Sequence, residues 1–409
     1  MNRILTSCLL ILAALALTAC NNKGTSAPAP LNVSVATGDN TATVTWDMLP
    51  GVEYWVFRAA STSITAQSCF SAPQCKISMK ATSPLIVSGL TNGTTYSFVI
   101  NGRKDGGPGG PDSPSLSIVP RLAGATWTQG AASSAGSSPL NGVTYGTNFV
   151  AVGDGGALYS SSDGKIWASL TNPSPSANLK AITYASGKYV AVGTGGTILS
   201  STDAITWTAQ SSGTANTLLA VGGNGAGGFV ATGASSTILQ SNDAVNWNVI
   251  TSITPPITTT TLYGITYANS RYIAVGSSGT LLSSPDGANW ATLSSVGNAL
   301  RGIAYGIPVG VTGAVGIFTA MGDSGTLRTS TDGVTWTSQS AISATQINAV
   351  TFGRQFVAVD NSGNIFNSPD GLTWSTVTPA VTSSPLYAVT RGLYDYSAVG
   401  AGGINLYSK

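Results

Sequence analysis

The chain contains no histidine and only one glutamate, Glu53. Without histidine it lacks the commonest general base, the commonest metal ligand and the side chain that titrates near neutral pH. Any acid–base chemistry would fall to Asp, Tyr, Lys, Ser or Thr. Charge is scarce as well. Only 8% of the 409 residues are Asp, Glu, Lys or Arg, against about a quarter in ordinary proteins. A net charge of +2 provides no basic field for nucleic acid and no acidic one for cations. Low charge signals disorder only when apolar residues are few, and here 42% are hydrophobic. They recur in short alternating runs between turns rich in Ser, Thr and Gly, which predicts an all-β protein.

Cysteine occurs four times, and each position has a distinct reading. A short cationic start, Met1 to Arg3, precedes the apolar run Ile4 to Leu17, which has signal-peptide length and is short for a membrane span. The run ends in Leu17-Thr18-Ala19-Cys20, which resembles the bacterial lipobox. The resemblance implies removal of residues 1–19, with Cys8 among them, and lipid on Cys20. Several acyl chains, at ~0.8 kcal/mol per buried methylene, make a stable anchor. Asn21 and Asn22 follow instead of Asp, which by the sorting rule of such lipoproteins implies the outer membrane. Residues 20–30 read as a lipidated, Pro-containing tether. The remaining pair, Cys69 and Cys75, lies in a turn-rich exported segment and is expected to form a disulfide.

Residues 31–120 contain regular short strand patterns, as in Thr41 to Trp46, Tyr54 to Arg58 and Thr95 to Ile100. They predict an antiparallel β-sandwich. Gly89-Leu90-Thr91-Asn92-Gly93-Thr94-Thr95-Tyr96 resembles the fibronectin type III segment whose Leu and Tyr mark the tyrosine corner. Trp46 at the end of an early strand adds to the likeness, and such modules are usually spacers or adhesive units.

From residue 122 to 409 the chain repeats. Six segments read Ser, any residue, Asp, three residues, Trp. Their aspartates are Asp163, Asp203, Asp243, Asp286, Asp332 and Asp370. Counting from Trp127, successive Trp spacings are 40, 40, 40, 43, 46 and 38. A period near 40 matches one four-stranded propeller blade. A first-strand pattern recurs seven times, from Leu140, Leu179, Leu218, Leu262, Leu300, Ile347 and Leu386. The last repeat stops at Lys409 without an Asp turn or a Trp. The strand around Trp127 can supply its missing edge and close a seven-bladed β-propeller.

The repeats resemble the Asp-box propellers of sialidases and the photosystem II assembly-factor-like propellers of exported bacterial proteins. An Asp in a tight turn accepts nearby backbone N–H groups, and a buried indole contributes ~5 kcal/mol before entropy. The six aspartates are therefore expected to be structural, binding no metal. Sialidases use an arginine triad and a Tyr activated by Glu, but this propeller has no Glu. Its arginines Arg271, Arg301, Arg328, Arg354 and Arg391 fall at different points of the repeat. A two-carboxylate hydrolysis would rest on the off-motif residues Asp154, Asp323, Asp360 and Asp395.

The turns before the first and after the second strand share one face of a propeller. That face is expected to hold the long connections 250–261 and 338–346. The second position of the first strand varies while its neighbours do not: Asn141, Lys180, Leu219, Tyr263, Arg301, Asn348 and Tyr387. These seven form the candidate binding rim. The expected function is a non-enzymatic envelope lipoprotein without a cofactor, docking an envelope or extracellular protein. The alternative is a carbohydrate-binding or glycan-cleaving surface protein.

Overall fold

The structure is a computed structural model that describes residues 24–130, 136–295, 297–309 and 313–408. The expected signal peptide, residues 1–19, and Cys20 lie outside these residues. The chain divides into two compact units, Met1–Leu122 and Ala123–Lys409.

Unit 1 has two sheets. One is β2 (Ser34–Gly38), β3 (Thr41–Thr45) and β6 (Leu85–Val87). The other runs in the order β1 (Thr25–Ser26), β7 (Tyr96–Lys104), β4 (Val52–Ala59), β5 (Lys76–Ala81), with β8 (Leu116–Ile118) also on β7. Their inward residues make one core that includes Trp46, Tyr54, Val56, Leu90, Tyr96 and Phe98. Trp46 packs 5.7 Å from Tyr54 between ring centroids. The Tyr96 hydroxyl accepts the Thr91 N–H at 3.2 Å, a link five residues back that fixes the corner before β7. One short helix, α1 (Ala66–Cys69), carries Cys69 into its disulfide with Cys75.

One expectation fails here. Residues 20–30 are not all tether, because β1 pairs Thr25 with Lys104 and Ser26 with Arg103. Ala27 is then buried and donates its N–H to the Gly102 carbonyl. Two residues of strand are too few to show a pattern in sequence, and the edge of β7 captures them through the backbone alone.

Unit 2 is the seven-bladed propeller. Its seven sheets begin with the strands Leu140–Tyr145, Leu179–Ala185, Leu218–Gly223, Leu262–Ala268, Leu300–Gly306, Ile347–Phe352 and Leu386–Arg391. Each first strand starts with a fully buried Leu or Ile. Each second strand carries a buried ring near its start: Phe149, Tyr189, Phe229, Tyr272, Phe318, Phe356 or Tyr396. Adjacent blades share cores. Val150, Val152 and Leu158 of blade 1, for instance, pack with Tyr189, Leu199 and Trp207 of blade 2.

The ring closes as the repeat count requires. The strand β9 (Trp127–Gln129) pairs with Asn405–Ser408 as the fourth strand of blade 7. Blade 7 also carries most of the turn that its own sequence lacks. Ser408 Oγ accepts the Gly124 N–H at 2.7 Å, as Ser284 Oγ accepts the Gly287 N–H in an intact turn at 2.8 Å. Trp127 Nε1 donates to the Gly124 carbonyl at 2.9 Å, as Trp290 Nε1 does to that of Gly287. Trp127 also sits 6.4 Å from Tyr396, as Trp290 does from Tyr272. Blade 7 thus has the same turn, divided between the two ends of unit 2, with Ala123 where the others have Asp.

The connection 250–261 also departs from expectation. Ile253–Thr254 runs parallel to Trp290–Ser295 as a fifth strand on the outer edge of blade 4. It covers backbone groups that an edge strand leaves unpaired. The connection expected at 338–346 begins inside the strand Thr337–Gln339.

Candidate functional site

The six intact turns share one geometry. In each, the Asp carboxylate accepts the serine hydroxyl two residues before it and the backbone N–H groups two and three residues after it. Hydrogen bonds to the ionised form depress its pKa. The N–H groups of Thr206, then Ile205, hold Asp203 at about 2. Those of Asn289 and Ala288, with the Asn289 side chain, hold Asp286 at about 2 against some burial. In Asp163 and Asp370 burial pushes upward, but the backbone donors outweigh it and the net shift is down. These carboxylates are occupied by their own turns. Among the described residues, no three of Cys, Asp and Glu gather closely enough to hold a metal.

The opposite ends of the strands build the mouth of the channel. After every second strand the chain turns back and its N–H bonds the carbonyl just before the first strand: Asp154 to Pro139, Thr194 to Asn178, Asp323 to Ala299, and likewise in the other blades. In all seven blades the register slips between the first and third residues of the first strand. The skipped residue is the second one, a β-bulge that adds one residue outside the ladder. These residues are Asn141, Lys180, Leu219, Tyr263, Arg301, Asn348 and Tyr387. The bulge explains their variability: their backbone is free of the ladder and their half-buried side chains face the channel mouth.

All seven line one pocket of about 340 Å³. Below them is a ring of Gly or Ala, from Gly142 round to Ala388, and then one of Val or Ile, from Val143 to Val350. The small residues let neighbouring inner strands approach closely. A Cβ on Gly142 would lie 3.1 Å from Ala181 Cα, and one on Gly302 would lie 3.0 Å from Ala349 Cα. In the sequence this ring shows only as a Gly or Ala at the third position of every first strand.

The polar members of the rim are tied into it. Asp154 Oδ1 accepts Lys180 Nζ and Asn141 Nδ2, each at 2.7 Å. Asn141 also donates to the Leu179 carbonyl of the next blade at 2.9 Å. Arg301 Nε meets Asp323 Oδ1 at 2.5 Å, and its guanidinium lies 4.7 Å from the Tyr263 ring centroid. Asn348 donates to the Leu386 carbonyl at 2.7 Å and accepts Gln346 Nε2 at 2.6 Å. The rim is therefore electrically balanced and held in place, with rings, amides and the remaining guanidinium faces available above an aliphatic throat.

The off-motif aspartates do not make a hydrolytic pair. Asp154 and Asp323 each hold a rim cation. Asp360 is fully buried and caps its own turn, accepting the N–H groups of Ser362 and Asn364 and the Thr345 hydroxyl. Asp395 sits in the turn between the first two strands of blade 7, at the far end of the blade. Nor do the arginines converge. Of the five, Arg301 alone lines the central pocket, while Arg271 reaches Ser283 and Arg328 reaches Ser294 and the Gly279 carbonyl.

No protein-family model matches the chain, and no curated protein does. Solved structures do resemble it. One described as YCF48 bound to D1 peptide is 14% identical, covers 69% of this chain and 94% of its own, and aligns with a TM-score of 0.55. YCF48 from Cyanidioschyzon merolae is 20% identical over 69% of this chain and 98% of its own, with a TM-score of 0.53. Virginiamycin B lyase from Staphylococcus aureus is 10% identical over 69% and 99%, with a TM-score of 0.59. Identities this low establish the β-propeller fold and nothing finer.

Proposed function

We propose that the chain is a lipid-anchored envelope protein of the outer membrane whose propeller binds a protein segment at the rim and catalyses no reaction. The observation that carries this reading is the channel mouth. Seven bulged positions, free of the ladder and filled by five residue types, stand over a common aliphatic throat. Two tyrosines, a stacked arginine and several amides above such a throat suit an extended peptide that inserts an apolar side chain. Aromatic and arginine groups dominate protein-binding energy, and paired charges at a rim govern specificity more than affinity. The YCF48 structure bound to D1 peptide supports the reading as a propeller of this fold that takes a peptide ligand. Against catalysis stands the engagement of every off-motif Asp in turns or rim pairs. The anchor is supported by the apolar run and Cys20 alone.

The test replaces Lys180, Tyr263, Arg301 and Tyr387 together by Ala. Crosslinking and mass spectrometry on membranes first identify the partner of the unaltered protein. The fourfold variant is expected to lose capture of that partner while remaining folded, as its circular dichroism and a cooperative melting curve check. Capture at unchanged affinity overturns the site.

A further inference from the structure

Unit 1 has two different ends. At one end lie the start of β1, the end of β7 and the start of β4, because Thr25 and Val52 both stand opposite Lys104. The chain leaves β8 at the other end, because Ile118 stands opposite Tyr96, the first residue of β7. The first end bears an apolar tip. Leu31 is 66% exposed, Met48 46% and Leu49 44%. They are neighbours: the Leu31 carbonyl accepts the Asp47 N–H at 3.0 Å, and Asp47 precedes Met48 and Leu49 in the chain. The tip is held rigidly, with the Leu49 N–H bound to the Tyr54 hydroxyl at 3.1 Å and the Leu49 carbonyl accepting the Val52 N–H at 3.3 Å. Pro50 and Gly51 extend it without charge. Lys104 and Lys80 are exposed at the same end, beside exposed Asp47 and Asp105 and with Glu53 3.6 Å from Lys80. The other end holds the hydrogen-bonded cluster of Asp39, Asn40 and Asn92, and its exposed Phe70 packs edge-on against Phe57.

The length of chain before β1 limits how far the tip can stand from a lipid on Cys20. Five residue steps separate Cys20 from Thr25, which span at most about 17 Å when fully extended. Neighbouring strands lie ~4.8 Å apart, so Val52 and Thr25, one on each side of β7, are about 10 Å apart. A lipid on Cys20 therefore holds Leu49 within reach of the headgroup layer, and exposed apolar residues grouped beside an anchor bury themselves there while lysines stay with the headgroups.

We propose that this end of unit 1 rests on the lipid surface, with Leu31, Met48 and Leu49 entering the headgroup boundary; the proposal rests on the lipid anchor put forward above. The full-length protein, purified from membranes and reconstituted in vesicles of phosphatidylethanolamine and phosphatidylglycerol, is spin-labelled at Leu49→Cys or at Thr91→Cys, an exposed position at the far end. The label at 49 is expected to lose collisions with a water-soluble nickel chelate several-fold, and to gain collisions with oxygen, relative to the label at 91. Equal accessibility at the two positions overturns the proposal. Mass spectrometry of the N-terminal peptide reports the anchor separately. If Cys20 is acylated and both labels remain in water, only the tip contact fails. If Cys20 is not acylated, the anchor fails, and flotation of the same chain with the vesicles decides on the tip. Flotation that is lost on changing Leu31, Met48 and Leu49 to Ser supports the contact, and absence of flotation overturns it.

Discussion

The two ends of the propeller blades divide the labour. At one end six turns repeat the same Ser, Asp and Trp, and the divided turn of blade 7 keeps the Ser-to-Gly and Trp-to-Gly hydrogen bonds with Ala123 in place of Asp. At the other end seven bulged residues differ from blade to blade. The repeated aspartates attract attention in the sequence, but each spends its lone pairs on its own turn. The bulged residues share no motif, and their backbones are the ones released from the ladder. Repetition here marks what holds each blade together, and variation marks what is left free to meet a ligand.

That contrast can be broken experimentally, starting with the largest effect. Acid acts on all six turns at once. Their folded pKa values are depressed, so their stabilisation is fully present above the unfolded Asp value of about 3.9. It is lost as the pH falls from there through about 2, where Asp203 and Asp286 titrate. Urea midpoints measured from pH 6 to pH 2 are expected to hold above pH 4 and fall steeply below it; a flat profile would show that the turns do not hold the fold.

Next comes a single indole. Trp290 is 3% exposed and packs on Tyr272. Trp290→Ala is expected to cost about 3–5 kcal/mol in denaturant unfolding, while ligand capture at the rim by the folded fraction stays unchanged. Loss of capture at full folding would erase the division between the two ends.

The smallest effect has the opposite sign. The residue after Asp has positive φ in these turns, and it is Gly in blades 1, 4, 5 and 6 but Ala in two others, Ala204 at 62° and Ala244 at 61°. A left-handed Ala costs about 1–2 kcal/mol, part of which Gly returns as unfolded-state entropy. Ala244→Gly relieves that strain but removes a fully buried methyl worth ~0.8 kcal/mol, so it is expected to raise stability by about 0.5 kcal/mol at most, read from the denaturant midpoint, with binding unaltered. A loss of stability would mean that the Ala244 methyl, fully buried beside Phe229 and Leu239, contributes more by packing than the left-handed backbone costs.

Much of this was readable from spacing. A period near 40 with seven first strands and an unmatched Trp127 is enough to count blades, because each blade must repeat its turns at fixed intervals. The rim could be located as the one variable position in a regular strand. Its cause could not, because a bulge is a change in pairing register that leaves no mark in composition. Nor could the partners of Asp154 and Asp323. Lys180 comes from the following blade, and Arg301 reaches Asp323 from the bulge of its own blade, so the first pairing depends on where the ring places neighbouring strands and the second on the register slip. β1 escaped notice because two residues carry no period. The divided turn escaped because its Ser408 and Gly124 are 284 positions apart, and it appears only when the chain is read as a circle.

The divided turn also orders events in time. Six of the seven Ser–Trp turns close over seven residues each and can form as soon as those residues exist. The seventh waits for Ser408, 284 positions after Gly124, so the ring stays an open arc with two bare blade edges until that residue exists. Long-range closures of this kind are slow, and unpaired edges invite association with other chains. Fusing Lys409 directly to Ala123 would write Ser-Lys-Ala-Gly-Ala-Thr-Trp in the spacing of the other turns. The place where synthesis leaves the circle open would then move to whichever blade supplied the new ends.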